Sequence, residues 1–379
     1  MLALIGARIF DGARMLGGHA LCLDGGRVAD VVPQAMLPPD VPREALGGGI
    51  LAPGFVDLQV NGGAGLMLGE AGGVDDLRRI AEAHARRGAT AILPTLISDT
   101  PDATERAVAL VAEAVRAGVP GIAGLHLEGP HLDPRKAGAH DPRHLRPMEA
   151  DDLDRLQSAA AALPALMVTL APEAATEAQV RALAGSGAVV ALGHSGCDAA
   201  TARRYVDAGA RVVTHLFNAM APMGHRAPGL AGAALSEGRL DAGVIADGHH
   251  VDPLMLGVAM RAKAGPGALF LVSDAMAPAG TEAARFELGG RAVRRAGGRL
   301  VLSDGTLAGA DLDLARAVRV MTAAGAAPEG ALAMATAIPA RVAGLDAGAI
   351  APGTAADLVH LDDGLNLQAV WRGGRRIAS

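Results

Sequence analysis

Four side chains with metal-binding or proton-transfer chemistry stand at or near the ends of short apolar runs: Glu128, His194, His215 and Asp274. Two imidazoles and two carboxylates suit a borderline divalent ion, such as zinc or iron, that keeps one coordination position open for water. Taken singly, each side chain also has an ordinary structural role. A strand-end histidine is more often a satisfied core or loop residue, Glu128 can cap the turn after it, and Asp274 can be a helix N-cap or an Asx turn.

The segments that carry these residues alternate between short strands and helices, which indicates a parallel sheet. Eight strands are predicted, over residues 54–60, 89–94, 121–128, 165–170, 188–194, 211–215, 241–247 and 268–274. This count favours an α/β fold built on a (β/α)8 TIM-like barrel. A doubly wound open sheet is the weaker alternative, because no Gly-x-Gly-x-x-Gly motif follows a strand.

A barrel would gather the four side chains at one mouth, because active residues of such barrels lie at the C-terminal ends of the strands. Burying them there unpaired would be costly, so their joint occurrence predicts a functional site. A bound metal would lower the pKa of a water and polarise a carbonyl oxygen. Asp274, which is distant in sequence from the other three, could take the proton of that water and deliver it to a leaving amine. These are the parts of a metal-assisted hydrolase.

The two ends of the chain read as short strands separated by glycine, and neither end holds enough apolar surface to fold alone. We expect them to meet in one small β-sandwich. The chain then divides into a first sandwich part over residues 1–52, a barrel over 53–344 and a second sandwich part over 345–379. After the eighth strand, one β-hairpin is predicted over residues 286–302, followed by helices over 311–324 and 328–343.

The composition excludes several classes of protein. The 379 residues carry a formal net charge of -6, so no basic excess is available to bind nucleic acid or an anionic membrane. Two cysteines cannot form a disulfide framework, which favours a reducing compartment. The N-terminus lacks the basic and apolar regions of a signal peptide, and no uncharged apolar run reaches the roughly 20 residues of a membrane span. The expected location is the cytoplasm.

Several motifs resemble the N-acetylglucosamine-6-phosphate deacetylase branch of the amidohydrolase superfamily, and together they cover nearly the whole chain. They are Leu127-Glu128-Gly129-Pro130, Gly193-His194-Ser195, Thr214-His215-Leu216-Phe217-Asn218-Ala219-Met220 and Val272-Ser273-Asp274-Ala275. The run over residues 214–220 is specific to that branch. The opening run over residues 52–57 and the closing run over 348–358 are general marks of the superfamily.

The resemblance implies a role for each matching position. Glu128, His194 and His215 would bind one divalent metal, for which zinc is expected first and Fe, Mn or Co are alternatives. Asp274 would be the general acid and base, and His140 would polarise the N-acetyl carbonyl together with the metal. The substrate would be contacted by His140 and by a further set of matching residues: Ala139, Asn218, Ala219, Arg226, Asp247, His250, Leu307, Ala308 and Gly309.

Within that set, the resemblance implies that Arg226 and His250 bind the sugar phosphate. It also implies a homodimer in which His250 reaches the active site of the neighbouring subunit. The Asp-Gly-x-His pattern favours His250 over the adjacent His249, although the residues alone leave that choice open. Without the resemblance, Arg226 would be interpreted as a solvated surface charge and His140 as a loop histidine.

One departure from the superfamily concerns the end of the first strand. Many amidohydrolases carry His-x-His there, which supplies a second metal, whereas this chain has Gln59-Val60-Asn61. Amide groups are poor ligands for a zinc-like ion, so a single metal is predicted. Cys197 follows His194 at a ligand-like spacing but is expected to be a small residue near a helix start. His126 is expected to lie in the barrel interior.

The resemblance therefore implies hydrolysis of the N-acetyl group of N-acetyl-D-glucosamine 6-phosphate to glucosamine 6-phosphate and acetate, in amino sugar catabolism and cell-wall recycling. Another N-acyl amino sugar phosphate, or a cyclic amide, is the alternative substrate. A non-catalytic sugar-phosphate sensor is the alternative from a different class of protein. The intact set of Glu128, His194, His215 and Asp274 counts against a sensor, because binding alone does not require a proton shuttle.

Overall fold

The computed structural model describes residues 1–377, and the strands are numbered here in chain order. The strands are β1 Leu2–Ile5, β2 Arg8–Phe10, β3 Met15–Leu16, β4 His19–Asp24, β5 Arg27–Pro33, β6 Arg43–Ala45, β7 Ile50–Pro53, β8 Phe55–Val60, β9 Gly62–Gly63, β10 Leu66–Met67, β11 Ala89–Ile97, β12 Leu125–Glu128, β13 Leu166–Leu170, β14 Val189–Leu192, β15 Val212–Val213, β16 Asp241–Val244, β17 Leu269–Leu271, β18 Arg285–Leu288, β19 Arg291–Ala296, β20 Arg299–Leu302, β21 Leu307–Ala310, β22 Leu358–Leu361, β23 Leu367–Arg372 and β24 Arg375–Ile377.

The α-helices are α1 Val74–Ala85, α2 Pro101–Arg116, α3 Ala150–Ala162, α4 Glu177–Gly185, α5 Ala199–Ala208, α6 Gly229–Ser236, α7 Pro253–Ala262, α8 Leu314–Ala323, α9 Pro328–Ala335 and α10 Ala337–Ala343. Short 3₁₀ turns lie at Gln34–Met36, Leu68–Glu70, Pro134–Lys136 and Pro142–His144. Within residues 1–377, none of these helices combines the length and the apolar character that crossing a membrane would require.

Eight parallel strands form a nearly closed barrel, in the order β8, β11, β12, β13, β14, β15, β16 and β17. The first and last strands meet beyond the end of β17, where the Asp274 amide donates a 3.0 Å hydrogen bond to the Gln59 carbonyl and Val60 bridges to Ala275. All eight predicted strands are therefore present, and the predicted (β/α)8 TIM-like fold is confirmed.

The helices that cover the barrel begin and end where the sequence supplies the required residues. The α2 helix begins after Thr100, whose hydroxyl accepts a 3.2 Å hydrogen bond from the Ala103 amide, and Pro101 occupies the first position, where its missing N–H costs nothing. The α1 helix buries an apolar face that includes Leu77 and Ile80. This face is the one expected from the spacing of the apolar residues.

The two ends of the chain form two sheets that share one hydrophobic cluster. One sheet has the order β5-β4-β1-β6, and the other has the order β24-β23-β22-β7-β2-β3, so strands from both ends pair with each other. Leu4 and Leu51 from the N-terminal end are buried in the same cluster as Leu358 and Trp371 from the C-terminal end. The terminal segments are β-rich and bury each other's apolar faces. The domain boundaries at residues 52 and 344 stay a prediction.

The segment after the barrel differs from its predicted form. Strands β18 to β21 make a four-stranded antiparallel sheet rather than one hairpin. Three turns join these strands, at Gly289-Gly290, at Gly297-Gly298 and at residues 303–306. The φ angles are 55° and 75° at the first turn and 58° and 72° at the second, so all four are positive. Consecutive positive φ angles are those of a two-residue hairpin loop, which paired glycines favour. The sequence predicted only the second of these three turns.

The predicted helix over residues 328–343 is two helices, α9 and α10. They separate at Thr336, whose φ of -131° and ψ of -90° are not helical. Pro339 lies in the first turn of α10 and has no N–H to donate to a carbonyl one turn earlier, so a continuous helix would lose a hydrogen bond there. The proline therefore accounts for the break, and the single-helix prediction was wrong.

Candidate active site

The three predicted metal ligands lie at the C-terminal ends of three strands of the barrel. Glu128 is the last residue of β12, and His194 and His215 lie just beyond β14 and β15. His194 and His215 have positive φ angles of 48° and 30°, as does Asp274 with 49°. Non-glycine residues in this left-handed region are strained by about 1–3 kcal/mol each, and they cluster at functional sites. The three strained residues are therefore among those that were predicted from the sequence to form the site.

The ligand atoms of these residues converge on one point. Glu128 Oε1 is 3.1 Å from His194 Nε2 and 2.9 Å from His215 Nε2, and the two Nε2 atoms are 3.0 Å apart. His194 Nδ1 lies 2.8 Å from the Lys136 carbonyl, to which it must donate, so His194 Nε2 carries a lone pair. That lone pair faces a carboxylate oxygen, an arrangement that a cation would stabilise. The donor set therefore fits a divalent metal.

The charge state of Glu128 agrees with this interpretation. Burial raises the pKa of this carboxyl, but the adjacent His194 and His215 rings outweigh burial and hold the pKa well below its usual range. Glu128 is therefore an anion in a buried site, as a metal ligand must be.

Asp274 is held by two amide side chains from the end of β8. Asn61 Nδ2 donates a 2.7 Å hydrogen bond to Asp274 Oδ1, and Gln59 Nε2 donates one of 3.2 Å to the same oxygen. Burial raises the pKa of Asp274 to about 6, and the nearby charge of Glu128 adds to the rise. The amides that stand where other amidohydrolases have histidines therefore orient a carboxylate whose pKa lies near neutrality, as a proton shuttle requires.

His140 is a buried ring beside the metal ligands. Its Nε2 lies 3.9 Å from Glu128 Oε2, and its ring centroid is 4.5 Å from that of His194. Burial and, to a smaller extent, the neighbouring His194 ring lower the pKa of His140 to about 3. On its other side, His140 Nδ1 lies 2.8 Å from Ser98 Oγ and accepts a 3.2 Å hydrogen bond from the Ser98 amide.

One cavity of about 370 Å³ brings the predicted residues together. Its wall contains the three predicted metal ligands, the predicted proton shuttle, the histidine predicted to polarise the carbonyl and six further predicted substrate residues: Glu128, His194, His215, Asp274, His140, Ala139, Asn218, Ala219, His250, Leu307 and Gly309. The Arg291 guanidinium donates a hydrogen bond to the Ala139 carbonyl, which ties the loop that carries His140 to strand β19.

Three predicted substrate residues lie elsewhere. Arg226 is exposed on the loop before α6 and is not part of the cavity wall. Asp247 lies behind the wall, where it accepts a 2.7 Å hydrogen bond from His250 Nδ1, so it orients His250 instead of facing a ligand. Ala308 is fully buried in an apolar cluster beneath its neighbours Leu307 and Gly309.

The position of His250 differs from the expectation that it would serve a neighbouring subunit. The structure places His250 in the cavity wall of its own chain, while His249 is exposed. The hydrogen bonds from the amides of both histidines to Asp247 Oδ1, at 2.7 and 2.8 Å, fix this turn. The choice of His250 over His249 therefore agrees with the Asp-Gly-x-His pattern.

Other expectations concerned residues outside the wall. His126 is buried in the barrel interior, as predicted, with Nδ1 3.0 Å from the Leu58 carbonyl and Nε2 2.8 Å from Thr169 Oγ1. Cys197 is buried just before α5, and it is not among the three residues whose ligand atoms lie within 4.8 Å of one another. The contacts of His126 and the position of Cys197 are therefore those of structural residues.

The sequence reasoning missed several residues of the site. Arg135 and Lys136 bring two cationic side chains to the wall, and their position shortly before His140 was the available signal. Arg135 is paired with Asp133 through a 2.8 Å contact. Ser98 follows β11 directly, but the predicted second strand ends at residue 94, so the strand-end rule did not select Ser98. The remaining missed wall residues are Ile97, Gly138, Ile245, Met276, Leu288 and Thr306, with Asn61 at the base.

Comparisons with known proteins identify the family of the chain. Residues 50–377 match the amidohydrolase family, and residues 1–51 match the NagA composite domain. The chain is 42% identical to the N-acetylgalactosamine-6-phosphate deacetylase of Shewanella sp. (strain ANA-3), over 88% of this chain and 85% of that protein. It is 38% identical to the N-acetylglucosamine-6-phosphate deacetylase of Homo sapiens, over 97% of this chain and 90% of that protein.

Solved structures give the same result. The N-acetylglucosamine-6-phosphate deacetylase of Pasteurella multocida superposes with a TM-score of 0.94 at 30% identity, over 100% of both chains. A mutant of the N-acetyl-D-glucosamine-6-phosphate deacetylase of Mycobacterium smegmatis, in complex with N-acetyl-D-glucosamine-6-phosphate, superposes with a TM-score of 0.91 at 33% identity, over 100% of this chain and 99% of that chain. The chain therefore belongs to the amidohydrolase family, in the branch that contains the N-acetylglucosamine-6-phosphate deacetylases.

Proposed function

We propose that this chain hydrolyses the N-acetyl group of N-acetyl-D-glucosamine 6-phosphate to give glucosamine 6-phosphate and acetate, in amino sugar catabolism and cell-wall recycling. The observation that carries the proposal is the convergence of Glu128, His194 and His215 with Asp274 and His140 on one cavity. The similarity along 97% of the chain to a deacetylase of this substrate supports the same reaction.

Glu128, His194 and His215 would hold one divalent ion, and zinc is the proposed ion because the donor set is two imidazoles and one carboxylate. Such an ion, when bound, lowers the pKa of a water and polarises a carbonyl oxygen. The amide donors of Gln59 and Asn61 point at Asp274, which supports a single metal site.

Asp274 supplies the proton transfers. Its Oδ1 is occupied by the two amide donors, so Oδ2 is the oxygen left to accept the proton of the attacking water. As the water oxygen bonds to the acetyl carbon and the C–N bond breaks, Asp274 delivers that proton to the departing nitrogen. The products are acetic acid and the amine, which become acetate and an ammonium group when the acid passes its proton to the amine, and Asp274 returns to its ionised form.

His140 polarises the acetyl carbonyl from the side opposite Ser98. Its Nε2 lies in the cavity near Glu128, where it can donate a hydrogen bond to the carbonyl oxygen as negative charge develops on that oxygen. Asn218, Ala219 and Leu307 line the same cavity and would contact the sugar.

The phosphate requires cations. His250 lines the wall of its own chain, whereas Arg226 is exposed outside it. We therefore propose a homodimer in which Arg226 of a second copy of the chain reaches the phosphate, with a guanidinium suited to bidentate binding.

A cytoplasmic location is proposed on the basis of the phosphorylated substrate and of two free, buried cysteines, Cys22 and Cys197.

A second candidate substrate is N-acetyl-D-galactosamine 6-phosphate. The observation that favours it is the 42% identity to a deacetylase of that epimer. A sugar-phosphate sensor is disfavoured by the oriented Asp274, which binding alone would not need.

The experiment compares acetate release from three compounds at equal concentration: N-acetylglucosamine 6-phosphate, its galacto epimer and unphosphorylated N-acetylglucosamine. The expected order of kcat/KM places the gluco phosphate first and the unphosphorylated sugar last. A higher value for the galacto epimer would move the assignment to the second candidate. Tight binding of the phosphates without acetate release would favour the sensor.

A further inference from the structure

Ser98 makes two contacts with one nitrogen of His140. The Ser98 backbone amide donates a 3.2 Å hydrogen bond to His140 Nδ1, and Ser98 Oγ lies 2.8 Å from the same atom. Both residues are buried, with 5% of Ser98 and 4% of His140 exposed. A backbone N–H can only donate, so His140 Nδ1 must be an acceptor and cannot carry a proton.

The proton of the ring is therefore on the other nitrogen. An imidazole whose Nδ1 accepts a hydrogen bond is neutral and has its proton on Nε2. His140 Nε2 is the atom that lies in the cavity, 3.9 Å from Glu128 Oε2. The Ser98 hydroxyl then donates to Nδ1, as the backbone amide does.

The backbone next to the metal ligand leaves room for this contact. Gly129 follows Glu128, and a Cβ built on Gly129 would lie 2.2 Å from Ser98 Oγ. Its φ of 88° is also one that other residues avoid. Glycine at this position allows the Ser98 hydroxyl to approach His140, so the contact is built into the metal-binding loop.

We propose that Ser98 is a positioning residue that fixes His140 as the neutral tautomer with its proton on Nε2, so that His140 donates a hydrogen bond to the scissile carbonyl oxygen. The inference rests on the proposed function, and it adds the residue that determines which nitrogen of His140 faces the substrate as a donor. A neutral donor stabilises the developing oxyanion without itself losing a proton to the water or to Asp274.

The first test reads the tautomer directly, by nitrogen NMR of the zinc-loaded protein with ¹⁵N in the histidine rings. The His140 signals are identified as those that disappear in His140→Asn. The expected spectrum shows a one-bond N–H coupling at Nε2 of His140 and none at Nδ1. A proton found on Nδ1 would overturn the proposal. This readout does not depend on turnover, so it remains informative if the wild-type chain releases no acetate, a result that would contradict the proposed function instead.

The second test asks whether Ser98 acts through His140. Ser98→Ala keeps the backbone donor and removes the hydroxyl, so kcat for acetate release should fall about five- to tenfold with KM within about twofold. Ser98→Thr, which restores a hydroxyl, should recover most of the loss. In a His140→Ala background, Ser98→Ala should have no further effect on kcat. An equal loss in both backgrounds would overturn the proposal.

A control separates this role from general stability. Ser236→Ala deletes a hydroxyl that bonds to the Gly232 carbonyl in α6, away from the cavity, and should leave kcat unchanged. Melting temperature and metal content are measured for every variant. If the loss of kcat in Ser98→Ala is matched by an equal loss of bound metal, Ser98 has a structural role and the proposal fails.

Discussion

Asn61 Nδ2 donates a 2.7 Å hydrogen bond to Asp274 Oδ1 across the gap between the first and the last strands of the barrel. This bond joins the residue that replaces a superfamily metal ligand to the residue that is expected to move the proton. It leaves Asp274 Oδ2 as the free oxygen, and it links barrel closure to the orientation of the general base.

The first prediction concerns Asp274→Asn. The amide oxygen of the substituted side chain can still accept hydrogen bonds from Asn61 and Gln59, so the variant should fold and bind metal normally. An amide cannot take a proton from water, so kcat should fall by about 10²- to 10⁴-fold. Acetate release, metal content and melting temperature check this outcome. Near-normal turnover would contradict the assigned role.

The second prediction concerns the metal ligands. Glu128→Gln removes the charged ligand while keeping its size, so metal content should fall well below one ion per chain and acetate release should be lost. His126→Gln is the matched control, because His126 lies on the same strand but bonds to Leu58 and Thr169 in the interior. Metal content by elemental analysis decides the result. Equal metal loss in both variants would show a general structural effect.

The third prediction concerns stability and pH. Burial raises the pKa of Asp57 to about 7 from its ordinary 3.8, although hydrogen bonds from Ser273 and Gln59 oppose the rise. The folded chain therefore keeps a proton that the unfolded chain releases. This contribution to the free energy of unfolding is fully present below about pH 4 and is lost as the pH rises to about 7, at most by about 1.4 kcal/mol per unit.

Asp57→Asn tests this linkage, because its Oδ1 can still accept from the Ser273 and Gln59 amides. Denaturant unfolding of the zinc-loaded proteins at about pH 5 and about pH 8 should show a smaller pH dependence in the variant. An identical pH dependence in wild type and variant would mean that Asp57 does not hold this proton.

The barrel and the candidate metal site could be predicted from the sequence because both depend on local signals. Alternating strands and helices define the fold, and the strand-end rule then selects Glu128, His194 and His215 without any knowledge of their contacts. The same rule did not select Ser98, because the second strand was predicted to end at Pro94, whereas β11 continues to Ile97. The pairing register shifts between Ile92 and Pro94, and such irregularities tolerate a residue without an N–H.

Other features depend on contacts that the sequence does not display. Asp247 was expected to face the ligand, but its carboxylate accepts three hydrogen bonds from the following turn and so orients His250. The turn at Gly289-Gly290 was not predicted because the strands on either side of it are only weakly apolar. Arg226 is exposed because its loop runs over the surface. The path of such a loop cannot be predicted from the periodicity of hydrophobic residues or from the positions of strand ends.

The fourth prediction concerns Arg226 and the proposed homodimer. Arg226→Ala and Asp274→Asn should each be inactive. If Arg226 serves the site of a second copy, a mixed dimer contains one site with both residues intact, so co-expression should restore about a quarter of wild-type activity. Size-exclusion chromatography with light scattering confirms the dimer. No recovery in a sample shown to contain mixed dimers would place Arg226 in its own site or outside catalysis.

The most direct test of the account is to measure metal content per chain together with acetate release from N-acetylglucosamine 6-phosphate, before and after chelation. The account predicts about one divalent ion per chain, loss of acetate release on chelation and its return when zinc is restored. Acetate release that persists in metal-free protein, or one bound ion without any acetate release, would contradict it.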